Sequence, residues 1–161
     1  MRKRFVSALS CVFVLSLLGL AQSNKPAPKK VVPSDSGLDR VMLQTVLDGW
    51  STLDPADAAK FYAHGPGTFF DVAPLKYSSW EEYEAGVRKV LVDYQSIKFT
   101  LNDDAAVHVH GDVAWATSTI KKDAVLKGGK REMATLRWTA IWEKRDGKWV
   151  IVHDHTSEPL Q

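Results

Sequence analysis

From residue 133 to residue 143 the chain alternates without a break. Ala134, Leu136, Trp138, Ala140 and Trp142 occupy one parity, and Met133, Thr135, Arg137, Thr139, Ile141 and Glu143 the other. A period of two over this length describes an extended strand with one dry face, and such a strand needs neighbours and a covering layer. The turn dipeptides Gly128-Gly129 and Asp146-Gly147 flank it, and both supply the positive-φ residues that tight hairpins require. Strands are therefore expected over 95–101, 105–110, 112–122, 130–145 and 148–158.

The chain before residue 94 reads differently. Ser36 begins a helical pattern, with Asp39 three residues on and Leu38, Val41, Met42, Val46 and Trp50 near helical spacing. Asp54-Pro55-Ala56-Asp57 is a second start signal, for a short helix ending near Ala63. Residues 68–72 read as a short strand halted by Pro74. Ser79 with Glu82 forms a capping box for a third helix, whose apolar stripe is Trp80, Tyr83, Val87, Val90, Leu91 and Tyr94. Helices first and a meander afterwards predict an α+β fold: a strongly bent antiparallel sheet wrapped around three N-terminal helices.

Residues 1–21 have the three-part layout of a secretory signal peptide. Arg2, Lys3 and Arg4 precede an apolar run from Phe5 to Leu20, and Gly19 and Ala21 supply small residues before a cleavage point. The run is shorter than the ~20 residues that span a bilayer. Cys11, the only cysteine, lies inside it and does not follow a lipid-attachment pattern, so the exported chain has no thiol and no disulfide framework. Residues 22–36, with three Pro and three Lys, read as a solvated tether. The domain is then 37–161, periplasmic or secreted, with no membrane attachment in its mature form. Removing the leader leaves eighteen basic against nineteen acidic residues, which argues against a nucleic-acid partner.

The last strand offers two candidate inner faces. One carries Val150, Val152, Asp154 and Thr156, the other Trp149, Ile151, His153, His155 and Ser157. The first is taken as interior, because two neighbouring core histidines would need two sets of partners. The outer face, with Trp115, Trp149 and Ile151, is then apolar enough to join two copies as a homodimer.

The order of elements, the Phe69-Phe70-Asp71 strand end and the Ser78-Ser79-Trp80-Glu81-Glu82-Tyr83 helix start resemble the nuclear transport factor 2-like superfamily. The ending from Trp142 through Asp146-Gly147-Lys148-Trp149 to Val152-His153-Asp154-His155-Thr156-Ser157 is similar to that of SnoaL-like proteins and kinase association domains. The resemblance covers the whole mature domain. It implies a cone-shaped sheet enclosing an apolar pocket, and a choice among isomerases, dehydratases, cyclases, epoxide hydrolases and non-catalytic oligomerisation modules. The cations of the kinase association pocket fall on Ala140 and Thr156 here, so an acidic ligand held by arginines is not implied.

Asp71 stands where ketosteroid isomerase-like members carry their proton-shuttling Asp. A carboxyl in apolar surroundings has the raised pKa such a role needs; an Asp just before Pro74 also suits a turn. The isomerase's oxyanion donors have no counterpart, since Thr45 and Val46 replace the Tyr and residues 139–141 contain no acid. Asp154 is the second candidate acid or base, or else the partner of a buried Tyr hydroxyl. Trp50, Tyr62, Phe70, Trp80, Tyr83, Trp138, Trp142 and Val152 are the expected pocket lining, fitting a small hydrophobic molecule. The pairs His108/His110 and His153/His155 have strand spacing that suits a metal only if a third ligand converges. His64 reads as a loop residue. No cofactor or metal is expected. The predicted function is an exported small-molecule-binding domain, with or without cofactor-independent acid/base catalysis; the alternative is an oligomerisation module.

Overall fold

The computed structural model describes residues 37–72 and 74–160. The expected signal peptide with Cys11, the expected tether and Ser36 lie outside these residues. Helix α1 (Arg40–Trp50) is followed by α2 (Ala56–Ala59), β1 (Pro66–Phe70), β2 (Tyr77–Ser79), α3 (Trp80–Leu91) and five strands. These are β3 (Tyr94–Leu101), β4 (Ala106–His110), β5 (Val113–Leu126), β6 (Arg131–Arg145) and β7 (Lys148–Ser157). No helix among the described residues is long and apolar enough to cross a membrane.

Local chemistry sets the helix starts. Asp39, in extended conformation, accepts a hydrogen bond from the Met42 amide at 2.9 Å, so α1 begins three residues later than a Ser36 cap would place it. Ser79 accepts from the Glu82 amide at 3.2 Å, while the Glu82 carboxylate reaches back to the Ser78 amide at 2.8 Å. Helix α2 is shorter than the sequence suggests, ending at Ala59.

The sheet runs β2-β1-β7-β6-β5-β3, with β4 also paired to β5. Every pairing is antiparallel except β1 with β7. It is bent and unclosed, ending on β2 and β3. Strand β5 takes β4 along Val113–Thr117 and β3 along Ile120–Leu126. Where the partner changes, the Asp104 carboxylate accepts from the Thr119 amide and the Ser118 hydroxyl, both at 3.0 Å. Asp146 (φ 50°) and Gly147 (φ 76°) make the β6–β7 turn, as a hairpin joining twisted strands requires.

Helix α1 seals the open edge at β3. Gln44 donates to the Phe99 carbonyl at 3.1 Å and accepts from the Leu101 amide at 2.9 Å. Ser51 Oγ accepts from the Phe99 amide at 3.0 Å, and Arg40 donates to the carbonyls of Leu101 and Asn102. Backbone groups that would template another strand are thereby occupied.

On β6, Leu136, Trp138, Ala140 and Trp142 are buried against the helices. Strand β7 departs from simple alternation. Ile141 pairs with His153, but Trp142 pairs with Ile151, so Val152 is an inserted bulge residue. The bulge shifts parity within one strand: Trp149 and Ile151 point inward before it, and Asp154 after it. The expected outer positions of Trp149 and Ile151 are thus corrected, as are the inner positions of Val150 and Val152. The outer face keeps Trp115, 44% exposed and stacked on His108, with Val113, Met133 and Ile141.

Helix α3 meets β2 through a residue without a side chain. A Cβ on Gly86 would overlap the Tyr77 ring. Tyr77 is buried and packed 5.2 Å from the Tyr83 ring, so it has little room to yield. Gly86→Ala is expected to destabilise the fold by about 1–3 kcal/mol, against the ~1 kcal/mol that Ala would bring to an exposed helix. Urea denaturation measures the sign.

Candidate functional site

Strand β7 beyond its bulge places Asp154 beside Ala140 of β6 and Phe69 of β1. The side chain is 1% exposed. Trp138, two residues from Ala140 on the same inner face, donates from Nε1 to Asp154 Oδ1 at 2.9 Å. The Tyr62 hydroxyl donates to Oδ2 and itself accepts from Trp50 Nε1 at 2.9 Å. The Tyr62 backbone is held by β7: the Ala63 amide donates to the Ile151 carbonyl at 2.9 Å, and the Ile151 amide to the Phe61 carbonyl at 2.7 Å. Two aromatic donors from distant parts of the chain therefore converge on one carboxyl group, and a third aromatic, Trp50, backs one of them.

These donors are neutral, and none of the ion pairs among the described residues involves Asp154. Burial pushes its pKa up to about 7, against the hydrogen bonds from Tyr62 and Trp138, which favour the charged form; the nearby Asp71 charge pushes it further up. Burial likewise raises Asp71, opposed by its hydrogen bond from the Val72 amide at 2.7 Å. Tyr62 and Tyr83 are both held well above the ordinary phenol value, first by burial and then by the Asp154 charge. Both phenols stay protonated at neutral pH.

A cavity of about 240 Å³ opens beside this group. Trp50, Tyr83, Leu136 and Trp138 form part of its wall, and Asp71, Asp154, Thr156 and Glu158 supply polar atoms. Asp71 leaves the end of β1 half-buried. Phe70, adjacent in the chain, points to the other face, where its ring lies 5.4 Å from His153 and 5.7 Å from His155.

The structure thus brings Trp50, Asp71, Tyr83, Trp138 and Asp154 together around one space. Tyr62, Phe70, Trp80, Trp142 and Val152, also expected in the lining, are not part of it. Tyr62 sits behind the wall as the partner of Asp154, while Trp80 and Trp142 are fully buried. Lys122 and Glu158 are charged lining residues that the sequence did not single out. The first follows from strand parity. Extending the inner parity of β5 from Ala114, Ala116, Ser118 and Ile120 by one step reaches it. Its ammonium lies 3.5 Å from Glu132 and over the Tyr94 ring.

Of the histidines, His153 Nδ1 lies 2.7 Å from the Thr68 carbonyl, tying β7 to β1. His64 is exposed near the Trp80 ring. Among the described residues no three His, Cys, Asp or Glu side chains are placed to hold a metal.

Residues 51–161 match the model of a family described as SnoaL-like domain. Among solved structures, a protein from Xanthomonas campestris named for the calcium/calmodulin-dependent protein kinase II association domain is similar at 25% identity. Its TM-score is 0.66, with 75% of this chain and 85% of that one covered. A nuclear transport factor 2-like superfamily protein from Salmonella enterica serovar Typhimurium is 21% identical, with TM-score 0.65 and coverage of 75% and 91%. A hexachlorocyclohexane dehydrochlorinase from Novosphingobium barchaimii shares the fold at 15% identity, with TM-score 0.63 and coverage of 75% and 86%. No match is found among curated proteins.

Proposed function

The chain belongs to the SnoaL-like domain family, and from that membership we propose that it binds a small hydrophobic molecule in the cavity beside Asp154 and moves a proton on it without a cofactor. The observation that carries this reading is a mostly apolar cavity with two carboxyl groups, Asp71 and Asp154, whose pKa values are both raised. Two neighbouring carboxyls that do not both ionise readily can divide into an acid and a base. In the ionised form Asp154 takes a proton from a carbon or oxygen at the cavity surface and becomes neutral, with Tyr62 and Trp138 having held its charge. Asp71, the more accessible and protonated at the outset, gives its own proton to the product, and both carboxyls reset by exchange with water. The protonated Tyr83 phenol, which also lines the cavity, serves as a donor to a developing oxyanion.

The similarity to a dehydrochlorinase, an enzyme of the same fold, supports an activity of this general kind, and the signal-like leader supports export to the periplasm or beyond. A second reading, assembly through the outer face, draws on the exposed Trp115, Val113 and Ile141 and on the similarity to a protein named for an association domain. A homodimer through that face is compatible with a working cavity.

Mass spectrometry of small molecules retained after exposure to an extract of the source cells tests the proposal, with Asp71→Asn run beside the wild type. The expected result is one compound bound by both and chemically altered only by the wild type. The same compound recovered unchanged from both would leave a binding protein and remove the catalytic role of Asp71. If neither retains a compound while Trp115→Glu disrupts assembly, the oligomerisation reading replaces this one.

A further inference from the structure

We propose that the cavity selects a protonated amine carried on a small apolar body. The inference rests on reading the cavity as a ligand site and adds the charge of what enters it. Three carboxyl groups, Asp71, Asp154 and Glu158, line the space, and among the described residues Lys122 is the one cation that does. Lys122 is already engaged by Glu132, which also holds Lys130 at 3.1 Å. The acidic side of the cavity is therefore left without a counter-charge.

Asp154 makes the imbalance costly. Both of its oxygens accept hydrogen bonds, from Tyr62 and Trp138, an arrangement suited to the ionised form. Neutral donors satisfy the lone pairs but leave a buried net charge, and such a charge is expensive until it is paired. An ammonium group at the cavity end of Asp154 supplies the pairing. Trp50, Tyr83 and Trp138 present ring surface to the same space, and aromatic faces attract a cation held close to them. A carboxylate ligand would meet three acidic groups and no uncommitted cation. At about 240 Å³ the space is below the ~300–1,000 Å³ of sites for drug-sized ligands, so the body must be small.

Calorimetric titration with benzylamine, benzyl alcohol and benzoate holds the ring constant and varies the charge. Benzylamine is expected to bind about tenfold more tightly than benzyl alcohol, or better, and benzoate to give no measurable heat. Asp71→Asn and Asp154→Asn should each bring the amine-to-alcohol ratio toward one while alcohol binding persists. Asp71 is the safer of the two, since it is half-buried and its carboxylate accepts from the amide of the neighbouring Val72 rather than from buried side chains.

The groups that face Asp154 are Tyr62 beyond α2, Tyr83 of α3, Trp138 of β6 and Asp71 beyond β1. None is cationic. Amine affinity should therefore rise between about pH 6 and pH 8 as the carboxyl ionises, with alcohol affinity flat. Alcohol or benzoate binding as tightly as the amine overturns the inference and leaves the ligand-cavity reading standing. An unchanged ratio in both variants does the same. No heat with any of the three probes overturns the amine inference, and a blank in the retained-compound experiment as well would take the ligand-cavity reading with it.

Discussion

Raising the pH from about 4 to about 7 is expected to weaken the fold by about 4 kcal/mol through Asp154 alone. The unfolded chain releases this proton near the ordinary Asp value of 3.8, and the folded protein holds it until about 7. Between those values the native state binds more protons than the unfolded state, so stability falls as pH rises. Each pH unit in that window is worth about 1.4 kcal/mol per proton. The contribution is whole below about pH 4 and lost once the folded carboxyl ionises. Asp71, also raised, acts in the same direction. Asp123, held low by its hydrogen bonds from Arg131, and Glu132, held low by Lys130, act in the opposite one. Both belong to solvent-accessible pairs, whose worth is usually below 1 kcal/mol. Urea denaturation at a series of pH values measures the slope, and Asp154→Asn should flatten it. A wild-type profile that rises from pH 4 to 7 would show that the buried carboxyl ionises in the fold at ordinary cost.

Trp80→Ala should cost about 3–5 kcal/mol, in the range for removing a large buried aromatic side chain. Trp80 is 0% exposed. Its ring stacks on Tyr62 at 4.6 Å and lies 5.9 Å from Tyr83, 6.0 Å from Trp50 and 6.5 Å from Phe69. These neighbours come from α1, α3, β1 and the segment after α2, so the indole joins the helical layer to the sheet. The loss is a large share of the ~5–15 kcal/mol that holds a typical domain together. Trp80→Phe should cost far less. Among the described residues the Trp80 Nε1 has no hydrogen-bond partner, so the smaller ring gives up volume and no hydrogen bond seen there. Equal losses in the two variants would mean that the ring's contacts are not what stabilises this region.

Much of the sheet was legible because its signals are local. The parity of β6 needs only the pleat, and Asp146-Gly147 needs only the positive φ of its turn. The short β2 was not legible: Tyr77–Ser79 becomes a strand by pairing with β1, and three residues show no period. The parallel pairing of β1 with β7 joins segments more than eighty residues apart, beyond the reach of any local pattern.

The site was legible in part, for a related reason. Asp71, Asp154, Trp50, Tyr83 and Trp138 are chemically conspicuous and lie on elements whose inner faces alternation can find. Phe70 and Val152 were misplaced by single-residue effects: one neighbours Asp71 but has opposite parity, the other is the inserted residue of a bulge. Lys122 escaped because a lysine on an inner face contradicts the pattern used to find that face. Only the paired Glu132, from the next strand, makes its place there tolerable.

The bulge at Val152 also divides β7 between two selective regimes. Ile151 and Trp149 belong to the packed interior, where substitutions are judged by volume. Asp154 and Thr156, on the far side of one unpaired residue, border the cavity, where substitutions are judged by charge and donor chemistry. Because the parity break lies between them, a lineage can exchange the residue at 156 without disturbing the scaffold at 149 and 151, whereas Asp154 changes only together with the donors Tyr62 and Trp138 that it holds. Descendants of a single scaffold can thus diverge in what they accept while inheriting the same architecture.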